Sequence, residues 1–210
     1  MKILHIDSSS TGNASVSRQL TAALVRELRD QNPAAEVIYR DLAADAPGHL
    51  GGELLQALRP APGHLAAESV REELALTDTM LDEFLTADVV VVGAPMYNFS
   101  IPSQLKAWLD RLAQPGRTFR YTASGPEGLA GGKKIFVVSS RGGMYAGTAL
   151  ESLDHQESYL KTIFGFFGIT NVEVLRAEGV AMGPEGRDRA LEQALSHARA
   201  LAADYEAVSA

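Results

Sequence analysis

The chain has 210 residues, 46% hydrophobic and 21% charged, which is ordinary for a soluble globular protein and enough for one sizeable core without a second domain. A formal net charge of -7 argues against a nucleic-acid groove, which needs a basic face to neutralise phosphates. The absence of cysteine removes disulfides, thiolate metal sites and a Cys nucleophile, and fits a reducing compartment. No apolar stretch approaches the ~20 residues that span a bilayer, and the opening Met1 to Asp7 is too short and polar for a signal segment. A soluble cytoplasmic protein that does not engage a membrane is therefore expected.

Strand and helix patterns alternate along the chain, the mark of a parallel sheet with helices on both faces. Ile3, Leu4 and Ile6 form a first strand ending at Asp7, and a hydroxyl-dense loop over residues 8–17 follows it. Leu20, Leu24, Val25 and Leu28 recur at helical spacing until Asn32-Pro33 stops them. Val37, Ile38 and Tyr39 make a second strand leading into Arg40-Asp41-Leu42. Residues 43–66 form a long excursion punctuated by Gly and Pro, with a short helical pattern at 53–58, of the kind used as a lid or an interface. Within it Arg59 reads as a surface ion-pair residue, with contact to a nucleotide phosphate as the other reading.

A helix over 67–86 turns Leu74, Met80, Leu81, Phe84 and Leu85 inward, and Val89-Val90-Val91-Val92 marks the third strand, over 88–92. Its carboxyl end delivers the loop Gly93-Ala94-Pro95-Met96-Tyr97-Asn98-Phe99, followed by a helix over 104–112 that Pro115-Gly116 ends. Residues 117–132, with Thr118-Phe119-Arg120-Tyr121, read as a functional loop or a small hairpin. A fourth strand over 133–139 runs into Ser140-Arg141-Gly142-Gly143. A helix over 155–167 has Gly168 as its cap, a last strand covers 171–175, and an Ala-rich helix over 184–207 follows. Five strands with interleaved helices predict a flavodoxin-like three-layer α/β sandwich over residues 1–210, of strand order 2-1-3-4-5. The switch point of that order lies between strands one and three, where two polar loops fall.

The loop after strand one has the outline of an anion site. A helix amino terminus supplies N–H groups and the positive end of a dipole, Ser9, Ser15 and Ser17 add hydroxyls, and Gly12-Asn13 allows a tight turn. It lacks G-x-x-x-x-G-K-[ST] and G-x-G-x-x-G, and holds no Lys, with Arg18 the nearby cation. Neutral donors of this kind suit a phosphate monoester; a solvated loop with Ser15 or Ser17 capping the helix fits the same residues. After strand three, Met96, Tyr97 and Phe99 suit the face of an aromatic ligand, and Asn98 offers both a donor and an acceptor. After strand four, Gly142-Gly143 lets a ring approach backbone N–H groups, or is an ordinary turn.

Met96-Tyr97-Asn98-Phe99, Ser140-Arg141-Gly142-Gly143 and the Ser9…Ser15-Val16-Ser17 loop resemble the FMN-binding segments of the FMN-dependent NADH:quinone oxidoreductase/azoreductase family. The likeness covers nearly the full length. It implies that Ser9, Ser15, Val16 and Ser17 hold the FMN phosphate. Pro95, Met96, Tyr97, Asn98 and Phe99 would then flank the ribityl chain and ring, and Ser140, Arg141, Gly142 and Gly143 would meet its pyrimidine side through backbone donors. It implies a homodimer with a site at each subunit junction, and an aromatic substrate pocket of Phe119, Tyr121 and Phe164. The implied activity passes two electrons from NADH or NADPH through bound FMN to a quinone or azo compound by a ping-pong route, with the chemistry on the flavin and no catalytic side chain.

Other chemistries find little support. Five histidines at 5, 49, 64, 155 and 197 have no H-x-H or H-E-x-x-H spacing, so no metal is expected. His5 reads as a packing residue, His155 as a surface or capping one, and Glu151, Asp154 and Glu157 as a solvated acidic cluster. No G-x-S-x-G elbow is present. A flavodoxin-type electron carrier and an NADPH:FMN reductase that uses FMN as a diffusible substrate are the rival readings. The aromatic-rich 117–122 segment and the 43–66 excursion favour the enzyme over the carrier.

Overall fold

The computed structural model describes residues 1–58 and 68–209, with side chains of the last helix described to Tyr205. Residues 59–66 of the Gly/Pro-rich excursion, Arg59 among them, lie outside the described residues. The elements run β1 (Lys2–Asp7), α1 (Val16–Gln31), β2 (Glu36–Asp41), α2 (Gly52–Leu58), α3 (Arg71–Thr86), β3 (Val89–Pro95) and α4 (Ser103–Leu112). They continue with β4 (Phe119–Thr122), β5 (Gly125–Gly128), β6 (Lys134–Ser140), α5 (Glu157–Phe166), β7 (Val172–Ala177) and α6 (Gly183–Ser209). Short 3₁₀ turns cover Gly12–Ala14, Glu68–Val70 and Glu151–Leu153.

β2, β1, β3, β6 and β7 form a parallel sheet in that order, the flavodoxin-like 2-1-3-4-5 arrangement once the hairpin strands are set aside. The run Val89 to Val92 shows why a central strand of this sheet is apolar without alternation. Val89 and Val91 bury against α1 and α6, in a layer with Leu20, Leu24, Leu28 and Ala198. Val90 and Val92 bury against α3, α4 and α5, in a layer with Phe84, Trp108, Leu109 and Phe164. Both faces are covered, so period 2 sorts one hydrophobic run into two cores. On α6 the buried alanines Ala190, Ala194, Ala198 and Ala202 recur every fourth residue. Their small side chains let that helix lie close on α1.

Residues 117–132 resolve into the small hairpin, β4 pairing antiparallel with β5 from Phe119↔Gly128 to Thr122↔Gly125. It docks on the end of α5, where Ala130 N–H donates to Phe167 O at 2.9 Å. Gly128 sits so close to Gly168 that an added Cβ would lie 2.0 Å from the Gly168 nitrogen. Gly168, with φ +88°, follows the helix end as expected. α5 begins at Glu157 rather than 155, with His155 N–H spent on Phe99 O (3.0 Å) and Asp154 Oδ1 accepting from Gln156 N–H (2.9 Å) and Glu157 N–H (3.3 Å) at the helix entrance. β3 runs on through Gly93 and Ala94 to Pro95, beyond the expected 88–92. Pro95 is tolerated because β1 pairs with β3 only as far as Val92, so no neighbour on that side needs its missing N–H.

Candidate functional site

Three loops emerge from the carboxyl ends of the adjacent strands β1, β3 and β6, at the switch point where α/β sheets place ligands. In the first, Ser15 is the N-cap of α1, its Oγ accepting from Arg18 N–H at 3.3 Å and lying 3.0 Å from Ser17 Oγ. Ser9, Ser15 and Ser17 are all buried. Among the described residues nothing accepts from the N–H groups of Val16 and Ser17, so α1 presents its positive end with open donors. The bare capping reading accounts for Ser15 alone. The two open N–H groups remain for an anion, beside the hydroxyls of Ser9, 3.0 Å from Thr11 Oγ1, and Ser17, 3.0 Å from Ser15 Oγ.

The second loop holds a strained turn. Tyr97 and Ser100 exchange backbone hydrogen bonds (N to O 2.9 and 3.1 Å), and the two residues between them, Asn98 and Phe99, have φ of 49° and 70°. Positive φ at both central positions is the type I′ arrangement, which Asn accepts readily and Phe does not. The strain is held by His155 N–H donating to Phe99 O (3.0 Å) and by the Phe99 ring standing edge-on to Tyr145 with centroids 6.5 Å apart. Phe99 is left 46% exposed, an aromatic face at the mouth. Tyr97 reaches the other way: its hydroxyl accepts from Ser10 N–H at 3.0 Å and lies 3.3 Å from Ser9 Oγ, closing the second loop onto the first. Beside this turn opens a cleft of about 470 Å³ lined by Asn98, Ile101, Lys106 and Tyr159. A larger hollow of about 670 Å³ lies among Met1, Asp88, Lys133 and Asn171 at the amino ends of the strands, away from all three loops. Ligand chemistry belongs to the carboxyl-end loops rather than to it.

The third loop is joined to the second by Met96 N–H donating to Ser140 O at 2.8 Å. Arg141 N–H is spent on Ala177 O (2.9 Å), so the donors this turn can offer a ring are Gly142 and Gly143, for which no acceptor is present among the described residues. The Arg141 side chain is fully buried and serves as a hub. Its Nη1 lies 2.8 Å from Asp154 and 3.3 Å from Glu178, and its Nη2 lies 2.5 Å from Glu157. Glu178 in turn accepts from Tyr145 and Ala146 N–H (2.8 and 3.1 Å), fixing the segment beyond the glycines. Asp154 and Glu157 therefore depart from the solvated acidic cluster expected of them: a buried guanidinium draws both inward, and only Glu151 stays exposed.

Two of the three expected pocket aromatics are also elsewhere. Phe164 has no exposed surface and stacks on Phe84 inside the core, while Phe119 packs on Phe166 with centroids 4.5 Å apart. Neither has a face to offer a substrate, since Phe164 fills the core between α3 and α5 and Phe119 the seam between α5 and the hairpin. Tyr121, 74% exposed, stands edge-on to Phe119. Periodicity missed the supports of the site. Gln104 on α4 donates to Ser8 O (2.6 Å), and Gln156 donates to Ala94 O (2.5 Å) while accepting from Ser139 and Arg141. His5 is buried against Tyr39, as its packing reading required. No group of metal-ligating side chains occurs among the described residues, and no helix there is long and apolar enough to cross a membrane.

A family profile described as a flavodoxin-like fold matches residues 1–202. The chain is 59% identical to the FMN-dependent NADH:quinone oxidoreductase of Azospirillum brasilense, over 96% of this chain and 98% of that one. It is 56% identical to the enzyme of the same name from Delftia acidovorans over the whole of both chains. Among solved structures, azoreductase from Bacillus anthracis str. Sterne superposes with a TM-score of 0.89 at 30% identity, covering 96% of this chain and 98% of that one. An FMN-dependent NADH-azoreductase from Bacillus anthracis str. Ames Ancestor, in complex with FMN, gives 0.86 at 25% identity, covering 96% and 99%. With its three loops gathered at the switch point and full-length likeness to these enzymes, the chain belongs to the FMN-dependent NADH:quinone oxidoreductase and azoreductase family.

Proposed function

We propose that the chain is an FMN-dependent oxidoreductase that takes electrons from NADH and delivers them in pairs to quinones and azo compounds. The observation that carries this reading is the pair of open donor sets bracketing an aromatic turn. Val16 and Ser17 N–H with three serine hydroxyls lie at one end, and Gly142 and Gly143 N–H lie at the other. Between them run Met96 to Phe99. A phosphate monoester, a polyhydroxyl chain and a flat ring with carbonyl acceptors match those three stations in order.

The residues that hold FMN are then Ser9, Ser15, Val16 and Ser17 at the phosphate, Pro95 to Phe99 along the chain and ring, and Ser140, Gly142 and Gly143 at the pyrimidine edge. Arg141 acts from beneath through its ion pairs. When bound, the flavin supplies the redox chemistry, accepting two electrons from NADH and passing them on to the acceptor. The protein's part is positional. Backbone N–H groups of the glycine turn would favour negative charge on a group held there, and the rigid Tyr97–Ser100 turn would wall the bound cofactor on one side, leaving the two substrates to use the other in turn. A shared open face gives ping-pong kinetics. The chain acts in the cytoplasm as a homodimer, with Tyr121 of one copy contributing its exposed ring to the junction.

The experiment is direct. Purified protein is expected to carry flavin absorbance and to release FMN, not FAD, on denaturation, and NADH should bleach it rapidly. Initial rates with NADH and quinone both varied should give parallel lines; intersecting lines would defeat the ping-pong route. Colourless protein that fails to take up added FMN would defeat the assignment itself.

A further inference from the structure

Arg18 is the third residue of α1, one turn from the anion site, and a cation there would be expected to reach for the phosphate. It does the opposite. Nη1 and Nη2 donate to the two carboxylate oxygens of Asp41 at 2.6 and 2.5 Å, Nη1 also donates to Tyr39 Oη at 3.2 Å, and Nε and Nη2 both donate to Ser9 O at 3.3 and 2.8 Å. A guanidinium has five N–H groups, and these contacts use them all. Asp41 is itself fixed at the end of β2, accepting from Ala43 and Ala44 N–H at 3.0 and 3.3 Å. The Arg18 hydrogen bonds hold its carboxyl below the usual carboxylate range, so the pair is charged at neutral pH.

The consequence for the loop follows from the planarity of the peptide bond. Arg18 holds the carbonyl of Ser9 toward itself, so the N–H of Ser10, on the same rigid plane, must point the other way. That N–H donates to Tyr97 Oη at 3.0 Å, the contact that brings the Tyr97 hydroxyl beside Ser9 Oγ at the rim of the anion site. One ion pair outside the loop thus sets one peptide plane, and the plane sets the hydroxyl that closes the loop.

We propose that Arg18 and Asp41 are positioning residues for the phosphate end of the cofactor, and that through the Ser9–Ser10 peptide they set the preference for phosphorylated flavin over riboflavin. The inference rests on the FMN reading above, and its test separates the two.

FMN and riboflavin are titrated into flavin-free protein and followed by quenching of flavin fluorescence, for the parent chain, Asp41→Asn and Arg18→Lys. The parent chain is expected to prefer FMN; if it binds neither, the FMN reading fails. Asp41→Asn should weaken FMN by about tenfold, the scale of a charge-assisted hydrogen bond, with riboflavin affinity unchanged. Arg18→Lys keeps the charge but loses the planar fork that reaches Asp41 and Ser9 together, so it should show the same selective loss and remains informative if Asp41→Asn folds poorly. FMN affinity unchanged or tightened in the variants, or riboflavin weakened in parallel with FMN, overturns the proposal while leaving the FMN reading intact.

Discussion

Phe99 is the residue whose conformation costs the most for what it offers. A phenylalanine at φ 70° occupies backbone space suited to glycine, at a cost of roughly 1 kcal/mol or more. Phe99→Gly should leave stability equal or raised by about 1 kcal/mol in urea unfolding, while lowering turnover with quinones because the exposed ring is gone. Equal turnover in the variant would mean that the ring is no wall of the pocket. Tyr39 gives a second test at this scale. Burial first, then the Asp7 carboxylate, pushes its phenol up to about 12. The unfolded chain ionises nearer ~10, so this contribution is whole below that pH and is lost as pH rises toward the folded value. Tyr159, raised likewise to about 12 by burial and then by Asp110, adds to the same loss. Tyr39→Phe should flatten part of the alkaline decline in melting temperature, and Tyr39→Phe with Tyr159→Phe should flatten more. These residue-scale features were hardly legible in the sequence. Arg18 and Asp41 are 23 positions apart and meet only because β2 lies beside β1, and nothing local to either announces it.

At the scale of elements the sequence was more informative, and its failures share a cause. The valine run of β3 and the helical spacing of α1 are local patterns, and both elements formed where the patterns lay. Phe119 and Phe164 misled because an aromatic in a plausible element looks the same whether its neighbours are solvent or Phe84 and Phe166; burial is settled by packing partners distant in sequence. The β4–β5 hairpin makes a sharp prediction here. Gly128→Ala would press a methyl into the backbone of Gly168, where no side-chain movement can make room. Overpacking of this kind costs about 1–3 kcal/mol, and with a backbone opposite the upper end is expected in denaturant melts. The hairpin should loosen before the main sheet, which hydrogen exchange at Ala130 and Leu129 would report. Wild-type exchange rates there would show that the two glycines do not meet as described.

The molecule as a whole gathers its candidate site at one edge. Sheet order, rather than any single motif, brings three loops from residues 8–17, 96–102 and 141–147 to adjacent strand ends, and the 2-1-3-4-5 order was readable because polar loops followed strands one and three. The hubs beneath the loops, Arg141 with its three carboxylates and Arg18 with Asp41, each neutralise themselves within the fold rather than toward a ligand. On a chain of net charge -7, the anion cradle proposed at α1 would therefore hold a phosphate with dipoles and hydroxyls alone. Dipolar attraction at hydrogen-bond range is barely touched by dissolved ions, whereas a lysine or arginine clamp weakens as the Debye length shrinks from about 30 Å at 0.01 M to about 3 Å at 1 M. The dissociation constant for FMN should accordingly stay nearly flat across that range of sodium chloride. The cofactor of this enzyme would then stay bound through the osmotic and ionic swings that strip an electrostatically held ligand from its protein.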